Sequence, residues 1–177
     1  MKKVFLGFVG LFVAVIVGMV VMASMQPDIS HVERSRVIKA SPEAIMPHLS
    51  DMKLWVSWSP WAERDPDVKW TFSDPTDGEG AWYEWEGNED VGKGRMEVTA
   101  VEENAVSYRL FFIEPFESQA TVVIRVGEDE AGTQVTWEMD STNSFASKVF
   151  MVFMDFDAMI GADFELGLGY LAKKVES

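Results

Sequence analysis

Six short segments whose apolar side chains recur every second residue dominate the middle of the sequence. They are residues 68–72, 81–86, 94–101, 105–113, 120–126 and 133–139. Because a strand directs successive side chains to opposite faces, each segment predicts a strand with one buried face. The connections are short and rich in glycine, asparagine and acidic residues, which favours antiparallel hairpins. The pattern therefore predicts a meander of six strands.

One more strand and two short helices are predicted ahead of the meander. Residues 32–39 alternate loosely and predict the first strand. Ser41-Pro42-Glu43 is typical of a helix start, with serine as N-cap, proline in the first turn and an acid beside it. Asp51 is the predicted N-cap of a second short helix that ends before Pro60.

The C-terminal part of the sequence changes to a helical period. From about Phe145 to the end there is no proline, and an apolar stripe predicts one long amphipathic helix. Its members are Val149, Val152, Phe153, Phe156, Ile160, Phe164, Gly167 and Leu171. A seven-stranded antiparallel sheet with one apolar face, curled around this helix, is an α+β arrangement. Such curling leaves room between sheet and helix, where small molecules usually bind.

The N-terminus carries a long apolar run. Residues 4–25 are 22 residues without a charge, enough to cross a bilayer as a helix. We therefore predict a basic N-terminus at 1–3, a transmembrane anchor at 4–25, a linker at 26–30 and a folded domain at 31–177. The alternative is a cleaved signal peptide, although the run exceeds the usual hydrophobic core of one. Lys2 and Lys3 favour a cytoplasmic N-terminus and an extracytoplasmic domain, but Arg34, Arg36 and Lys39 nearly balance them.

Charge and composition exclude several classes of function. With 15 basic and 29 acidic residues the net charge is −14, which argues against a nucleic-acid partner. An acidic domain is repelled by anionic lipids, so the anchor rather than surface charge would hold it at a membrane. The chain has no cysteine and two histidines, which removes disulfides, thiolate metal sites and cysteine nucleophiles. No metal, cofactor or catalytic triad is predicted.

Several strings occur in a characteristic order along the chain. They are Ser41-Pro42-Glu43, Trp55-Val56-Ser57-Trp58-Ser59-Pro60-Trp61, Tyr83-Glu84-Trp85-Glu86-Gly87-Asn88, Val91-Gly92-Lys93-Gly94, Thr136-Trp137-Glu138-Met139 and Met159-Ile160-Gly161-Ala162-Asp163-Phe164-Glu165. Together with the order β-α-α-β₆-α, they resemble the START-like or SRPBCC superfamily, in particular its polyketide cyclase/dehydrase-type branch, from about residue 31 to the end.

The resemblance implies a helix-grip fold with a deep cavity beneath the C-terminal helix. Members bind lipids, sterols, hormones or polyketides; some cyclise or aromatise them, and relatives activate chaperones. Because the superfamily has no universal catalytic motif, no catalytic residue is assigned.

Apolar and aromatic side chains on the predicted inner face are the candidate ligand contacts. They are Trp55, Trp58, Tyr83, Trp85, Tyr108, Phe112, Trp137, Phe156 and Ile160. The alternative for each is core packing, and Trp55 and Trp58 share one helix face at a spacing of three. The Tyr108 hydroxyl needs a polar partner when buried, either on a ligand or on a neighbouring group.

Asp163 is the one charged candidate. At 100° per residue it falls near the centre of the apolar stripe, where a carboxylate is costly unless it is paired or neutral. It either orients a ligand or moves a proton, or it bonds a side chain of the sheet or a backbone amide and fixes the helix position.

These observations predict a membrane-anchored protein that binds a hydrophobic small molecule or lipid between sheet and helix. One alternative is a polyketide cyclase or aromatase-like enzyme, and another is a protein-interaction or chaperone-activator-like module. An open cavity lined by the candidates favours binding or catalysis, and a filled interior with an exposed apolar patch favours a protein partner.

Overall fold

A computed structural model describes residues 2–114 and 117–176, with side chains described from residue 10 onward in the N-terminal helix. The helices are α1 (Lys2–Ser24), α2 (Pro42–Ser50), α3 (Met52–Val56), α4 (Phe145–Met151) and α5 (Phe156–Val175), and Pro60–Glu63 is a 3-10 turn. The strands are β1 (Ile29–Ile38), β2 (Lys69–Phe72), β3 (Trp82–Glu86), β4 (Lys93–Glu102), β5 (Ala105–Glu114), β6 (Ser118–Asp129) and β7 (Gly132–Thr142).

The seven strands form one antiparallel sheet in the order β1-β7-β6-β5-β4-β3-β2. Strands β2 to β7 follow each other in space as they do in sequence, which confirms the predicted meander. Strand β1 starts three residues earlier than predicted and pairs with β7 from Ile29 to Ile38. One face of the sheet packs against α2, α3, the 3-10 turn and α5, and this layer contains the hydrophobic core. The helix-grip α+β architecture is confirmed.

The two short helices begin as the sequence predicts. Pro42 stands at the start of α2 behind Ser41, whose hydroxyl makes no capping hydrogen bond. The Asp51 carboxylate accepts the Lys53 N–H at 2.8 Å and so caps α3. Both helices place apolar side chains on the sheet, including the buried Leu49 and Trp55.

The prediction of one uninterrupted helix from Phe145 to the end is wrong. The chain leaves the helical path between α4 and α5, and the Asp155 carboxylate accepts the Ala158 N–H at 3.0 Å. An N-cap of this kind starts a new helix, because it satisfies a backbone donor of the first turn. The apolar period runs on through the break, so periodicity alone does not reveal it.

Helix α1 projects from the domain. Residues 10–18 are all exposed, whereas Ala23 is buried and α1 packs against α4 near its C-terminal end. Among the described residues, no helix has the length and apolar character needed to cross a membrane. The predicted anchor begins at residues 4–9, whose side chains lie outside the described set, and it stays a prediction.

Several chain ends meet at one end of the sheet. Ile29 at the start of β1 pairs with Thr142 at the end of β7, and Ser118 at the start of β6 pairs with Phe112 near the end of β5. Helix α1 enters at this end because it leads into β1. Helix α5 also begins near this end, since Asp157 in its first turn pairs with Arg34 of β1. We call this the α1 end of the domain.

Candidate functional site

An aromatic cluster fills the centre of the space between the sheet and α5. Trp55 lies with its ring centroid 4.7 Å from Trp58 and 5.6 Å from Trp137. Trp137 stacks on Phe164 at 4.3 Å, and Tyr83 lies 5.8 Å from Trp55. All five side chains are buried. The structure therefore packs four predicted ligand residues, Trp55, Trp58, Tyr83 and Trp137, into one layer with Phe164, and ligand contact by the four stays a prediction.

The buried tyrosines hold their protons. Tyr108 donates its hydroxyl hydrogen to the Leu49 carbonyl at 2.8 Å, so the protein itself supplies the partner that the sequence left open. Burial raises the pKa of Tyr108 and of Tyr83 above the ordinary value, because an ionised phenol loses its hydration there. Both hydroxyls are hydrogen-bond donors at neutral pH.

One buried indole group, that of Trp137, lacks an acceptor among the described residues. The Trp58 N–H donates to the His48 carbonyl at 3.0 Å and the Trp85 N–H to the Val91 carbonyl at 3.2 Å. The N–H group of Trp137 is buried without a hydrogen-bond partner among the described residues. A buried donor without an acceptor costs about 1–3 kcal/mol, so this layer retains unused hydrogen-bonding capacity.

Asp163 is buried and paired. It is 6 % exposed and accepts a hydrogen bond from the Arg64 guanidinium, which follows the 3-10 turn. Arg64 is partly exposed, so the ion pair stands at the edge of the core. The pair ties α5 to the turn that carries Trp61. The position of Asp163 on the inner face is as predicted, and its partner is a turn residue rather than a sheet residue.

The remaining predicted contacts lie toward the α1 end. Phe112, Phe156 and Ile160 are half-buried and pack against the core, as does Leu110. Trp85 is buried behind Phe112, with 6.0 Å between ring centroids. The apolar layer between sheet and helix is therefore less covered at the α1 end than at its centre.

A groove of about 560 Å³ opens at the same end. It lies between the linker that follows α1 and the segment that joins α4 to α5. Met151, Phe153 and Phe156 supply apolar walls, whereas Ser30 and His31 supply polar groups. Such a mixed lining suits a ligand with an apolar body and a polar end.

The histidine at the rim of this groove is held by acids. The His31 Nδ1 lies 2.8 Å from the Asp140 carboxylate and its Nε2 lies 3.7 Å from Glu33. The hydrogen bond with Asp140 raises the pKa of His31, because the carboxylate favours the imidazolium. The imidazolium form of His31 beside the groove therefore persists to a higher pH than that of an ordinary histidine.

A second groove of about 340 Å³ lies at the C-terminal part of α5. Trp58, Ser59, Tyr170 and Lys173 line it, and the Tyr170 hydroxyl donates to Glu63 at 2.6 Å. Of the predicted ligand contacts, only Trp58 borders it.

Sequence reasoning missed most of the groove at the α1 end. Only Phe156 was a predicted contact, because the sequence predicts a linker at 26–30, a strand from residue 32 and one helix through residues 151–155. The sequence signal for this groove is Asp155. Its carboxylate accepts the Ala158 N–H, and an acid is typical of an N-cap, so Asp155 indicates a helix start inside the segment predicted as one helix.

Three solved structures have the same helix-grip fold. Major latex-like protein 151 from Panax ginseng is 13% identical with a TM-score of 0.58, over 84% of this chain and 99% of that one. The Aha1 dimer from Colwellia psychrerythraea is 18% identical with a TM-score of 0.58, over 83% and 96%. The di-domain ARO/CYC StfQ from the steffimycin biosynthetic pathway is 10% identical with a TM-score of 0.59, over 84% of this chain and 51% of that one. At these identities the likeness concerns the fold alone.

The fold and its order of elements define a protein of the SRPBCC superfamily. Residues 30–176 match the model of the family described as "Polyketide cyclase / dehydrase and lipid transport". The chain belongs to this family, which confirms the resemblance seen in the sequence. No curated protein matches the sequence significantly.

Proposed function

We propose that this protein binds a hydrophobic small molecule or lipid at the α1 end of the layer between the sheet and α5, and that α1 anchors it in a membrane. One observation carries the proposal. The end of the domain from which α1 projects is also the end where the inner apolar layer is half-buried and the groove of about 560 Å³ opens. A ligand that leaves the bilayer beside α1 meets this opening directly.

The ligand's apolar part would replace water against Phe112, Phe156 and Ile160. Burial of apolar surface contributes roughly 25 cal/mol per Å², which is the driving force for sequestration. A polar end of the ligand would meet the polar groups of the groove, Ser30 and His31. These two contributions favour an amphiphile with a small polar group.

Two observations support the anchor. Residues 4–25 carry no charge over 22 residues, and α1 is helical from Lys2 to Ser24. Large apolar side chains of the described part, such as Leu11, Phe12 and Val17, are exposed. Water is a poor solvent for such a surface, whereas hydrocarbon is a good one. We place the domain on the extracytoplasmic side, because Lys2 and Lys3 precede the run.

Native mass spectrometry of the full chain, released from membranes in mild detergent, tests binding. We expect a co-purified small molecule or lipid, and saturable binding of NBD-labelled stearic acid by fluorescence. Absence of both would overturn the proposal. Conversion of a bound compound to a product of different mass would instead favour the cyclase-like alternative. Loss of this conversion in Asp163→Asn would assign Asp163 to that reaction.

Two matched variants locate the site. Ile160→Trp fills the half-buried layer at the α1 end, and we expect it to weaken binding; a loss of ~1–3 kcal/mol corresponds to roughly 5- to 150-fold in affinity. Val101→Trp adds the same side chain at an exposed position near the far end of the sheet, and we expect no change. Equal affinity of both variants would place the ligand elsewhere.

Membrane orientation has its own test. The chain has no cysteine, so a single Val101→Cys substitution reports on the domain alone. We expect a membrane-impermeant maleimide to label this residue in intact cells. Labelling only after lysis would place the domain in the cytoplasm.

A further inference from the structure

The short helix α4 and the segment after it expose an unusual number of large apolar side chains. Phe145 is 54 %, Phe150 49 %, Phe153 68 % and Met154 42 % exposed. None of the residues of α4 is buried, so the helix contributes no side chain to the core. A patch of this kind on a soluble surface marks a site of contact with a partner or a membrane. We call these four residues the α4 surface.

Hydrogen bonds fix the α4 surface beside the base of α1. The Asn143 backbone N–H donates to the Asp28 carbonyl at 2.9 Å, and its side-chain amide donates to the Pro27 carbonyl at 3.0 Å and to the Ser30 hydroxyl at 2.7 Å. Lys148 of α4 forms an ion pair with Asp28. Helix α1 itself packs against α4. The direction in which α1 leaves the domain is therefore coupled to the position of α4.

Charge separates this segment from the rest of the chain. Residues 143–154 contain one basic residue, Lys148, and no acidic residue, in a protein with a net charge of −14. Lys148 is paired with Asp28, so the segment presents little net charge. Apolar aromatic side chains on a nearly uncharged surface suit the boundary between headgroups and acyl chains. The acidic remainder of the domain would be repelled from an anionic lipid surface.

We propose that the α4 surface lies in the interfacial layer of the lipid bilayer that α1 spans. This inference rests on the proposed anchor. It adds that the domain takes a defined orientation on the bilayer. Phe153 and Met154 also line the groove at the α1 end. Docking of the α4 surface would thus set the mouth of the groove against the membrane, and a lipid would enter it without crossing bulk water.

Single-cysteine labelling of the full chain tests the inference. The protein contains no cysteine, so Phe150→Cys and Phe153→Cys each carry one NBD label without background. Val17→Cys in α1 reports on the anchor, and Val101→Cys reports on the far end of the domain. Each labelled protein is reconstituted in phosphatidylcholine–phosphatidylglycerol vesicles that contain lipids spin-labelled at a shallow or a deep acyl position.

We expect shallow spin-labelled lipid to quench labels 150 and 153 several-fold more than label 101, and deep spin-labelled lipid to quench label 17. If labels 150 and 153 are quenched no more than label 101 while label 17 is quenched, this inference is overturned and the anchor is retained. Failure to quench label 17 would overturn the anchor, and with it this inference. Labels 150 and 153 shielded from aqueous iodide but not quenched by lipid would also overturn it, in favour of a protein partner.

Discussion

Trp137 of β7 stacks on Phe164 of α5, with 4.3 Å between ring centroids and 8° between ring planes. Both side chains are buried, and Trp137 also meets Trp55, Trp58 and Trp61 edge to face. The pair joins the sheet to the helix that covers it. It is therefore the contact through which the aromatic layer positions α5.

Phe164→Ala should lower the free energy of unfolding by about 3–5 kcal/mol, because it leaves a cavity against Trp137 that the packed layer cannot fill. Leu166→Ala is the matched control on the same helix, since Leu166 is exposed, and its effect should stay within about 0.5 kcal/mol. Urea unfolding of the full chain in detergent measures both. Equal effects of the two variants would show that the stack does not hold α5.

The packing of α5 on β1 depends on glycine at one position. A side-chain carbon on Gly161 would collide with the Arg34 guanidinium. Arg34 donates there to Asp157 at 2.9 Å and to Glu165 at 3.2 Å, so it has little freedom to move. A carbon on Gly169 would lie 3.9 Å from the nearest atom of Arg36, an ordinary contact.

Gly169→Ala should therefore raise the free energy of unfolding by up to about 1 kcal/mol through helix propensity, whereas Gly161→Ala should lower it. Urea unfolding distinguishes the two signs. In an Arg34→Ala background the collision is gone, and Gly161→Ala should become stabilising. A stabilising Gly161→Ala in the natural background would contradict the assigned contact.

The strands could be predicted because apolar side chains recur every second residue along their sequences. Strands β3, β4, β6 and β7 alternate buried and more exposed residues along most of their length, as a one-faced sheet requires. The break before α5 was not predictable from period, because Val152 and Phe153 continue the apolar stripe while the backbone turns. The hydrogen bond from the Ala158 N–H to the Asp155 carboxylate starts the new helix there, and the spacing of apolar residues does not indicate it.

The site was predictable only in part, for a related reason. The sequence shows that Trp55, Tyr83 and Trp137 face inward, but not whether their volumes fill the interior. Filling is a property of three-dimensional packing, in which centroids 4–6 Å apart leave no gap for a ligand. The groove at the α1 end combines residues from positions 26–31 and 151–157, which are distant in sequence and meet through the pairing of β1 with β7 and the contacts of α4 and α5.

The ion pair of Asp163 and Arg64 should respond unequally to loss of either partner. Arg64→Met leaves a carboxylate buried without its partner, which costs about 1–3 kcal/mol or more. Asp163→Asn leaves Arg64 at an exposed edge where water solvates it, so the cost should be smaller. Urea unfolding of both variants and of the double variant measures the asymmetry. A larger effect of Asp163→Asn would mean that Asp163 has a second role in the core.

The two histidines should titrate on opposite sides of the ordinary value of 6.5. The hydrogen bond with Asp140 raises the pKa of His31, whereas burial lowers the pKa of His48, with Lys174 adding to the effect. The stabilisation from His31 is complete below pH 6.5 and is lost as the pH rises through its raised pKa. His48 acts with the opposite sign, since its protonation below pH 6.5 opposes folding.

Because the chain has two histidines, their imidazole proton signals give both pKa values in one NMR titration. We expect the pKa of His31 to exceed that of His48. Asp140→Asn should bring the pKa of His31 toward 6.5 and leave His48 unchanged, whereas Glu128→Gln in the same sheet should alter neither. His31 of β1 and Asp140 of β7 stand directly opposite each other in the sheet. An unchanged pKa of His31 in Asp140→Asn would therefore refute the contact between these two side chains at the rim of the groove.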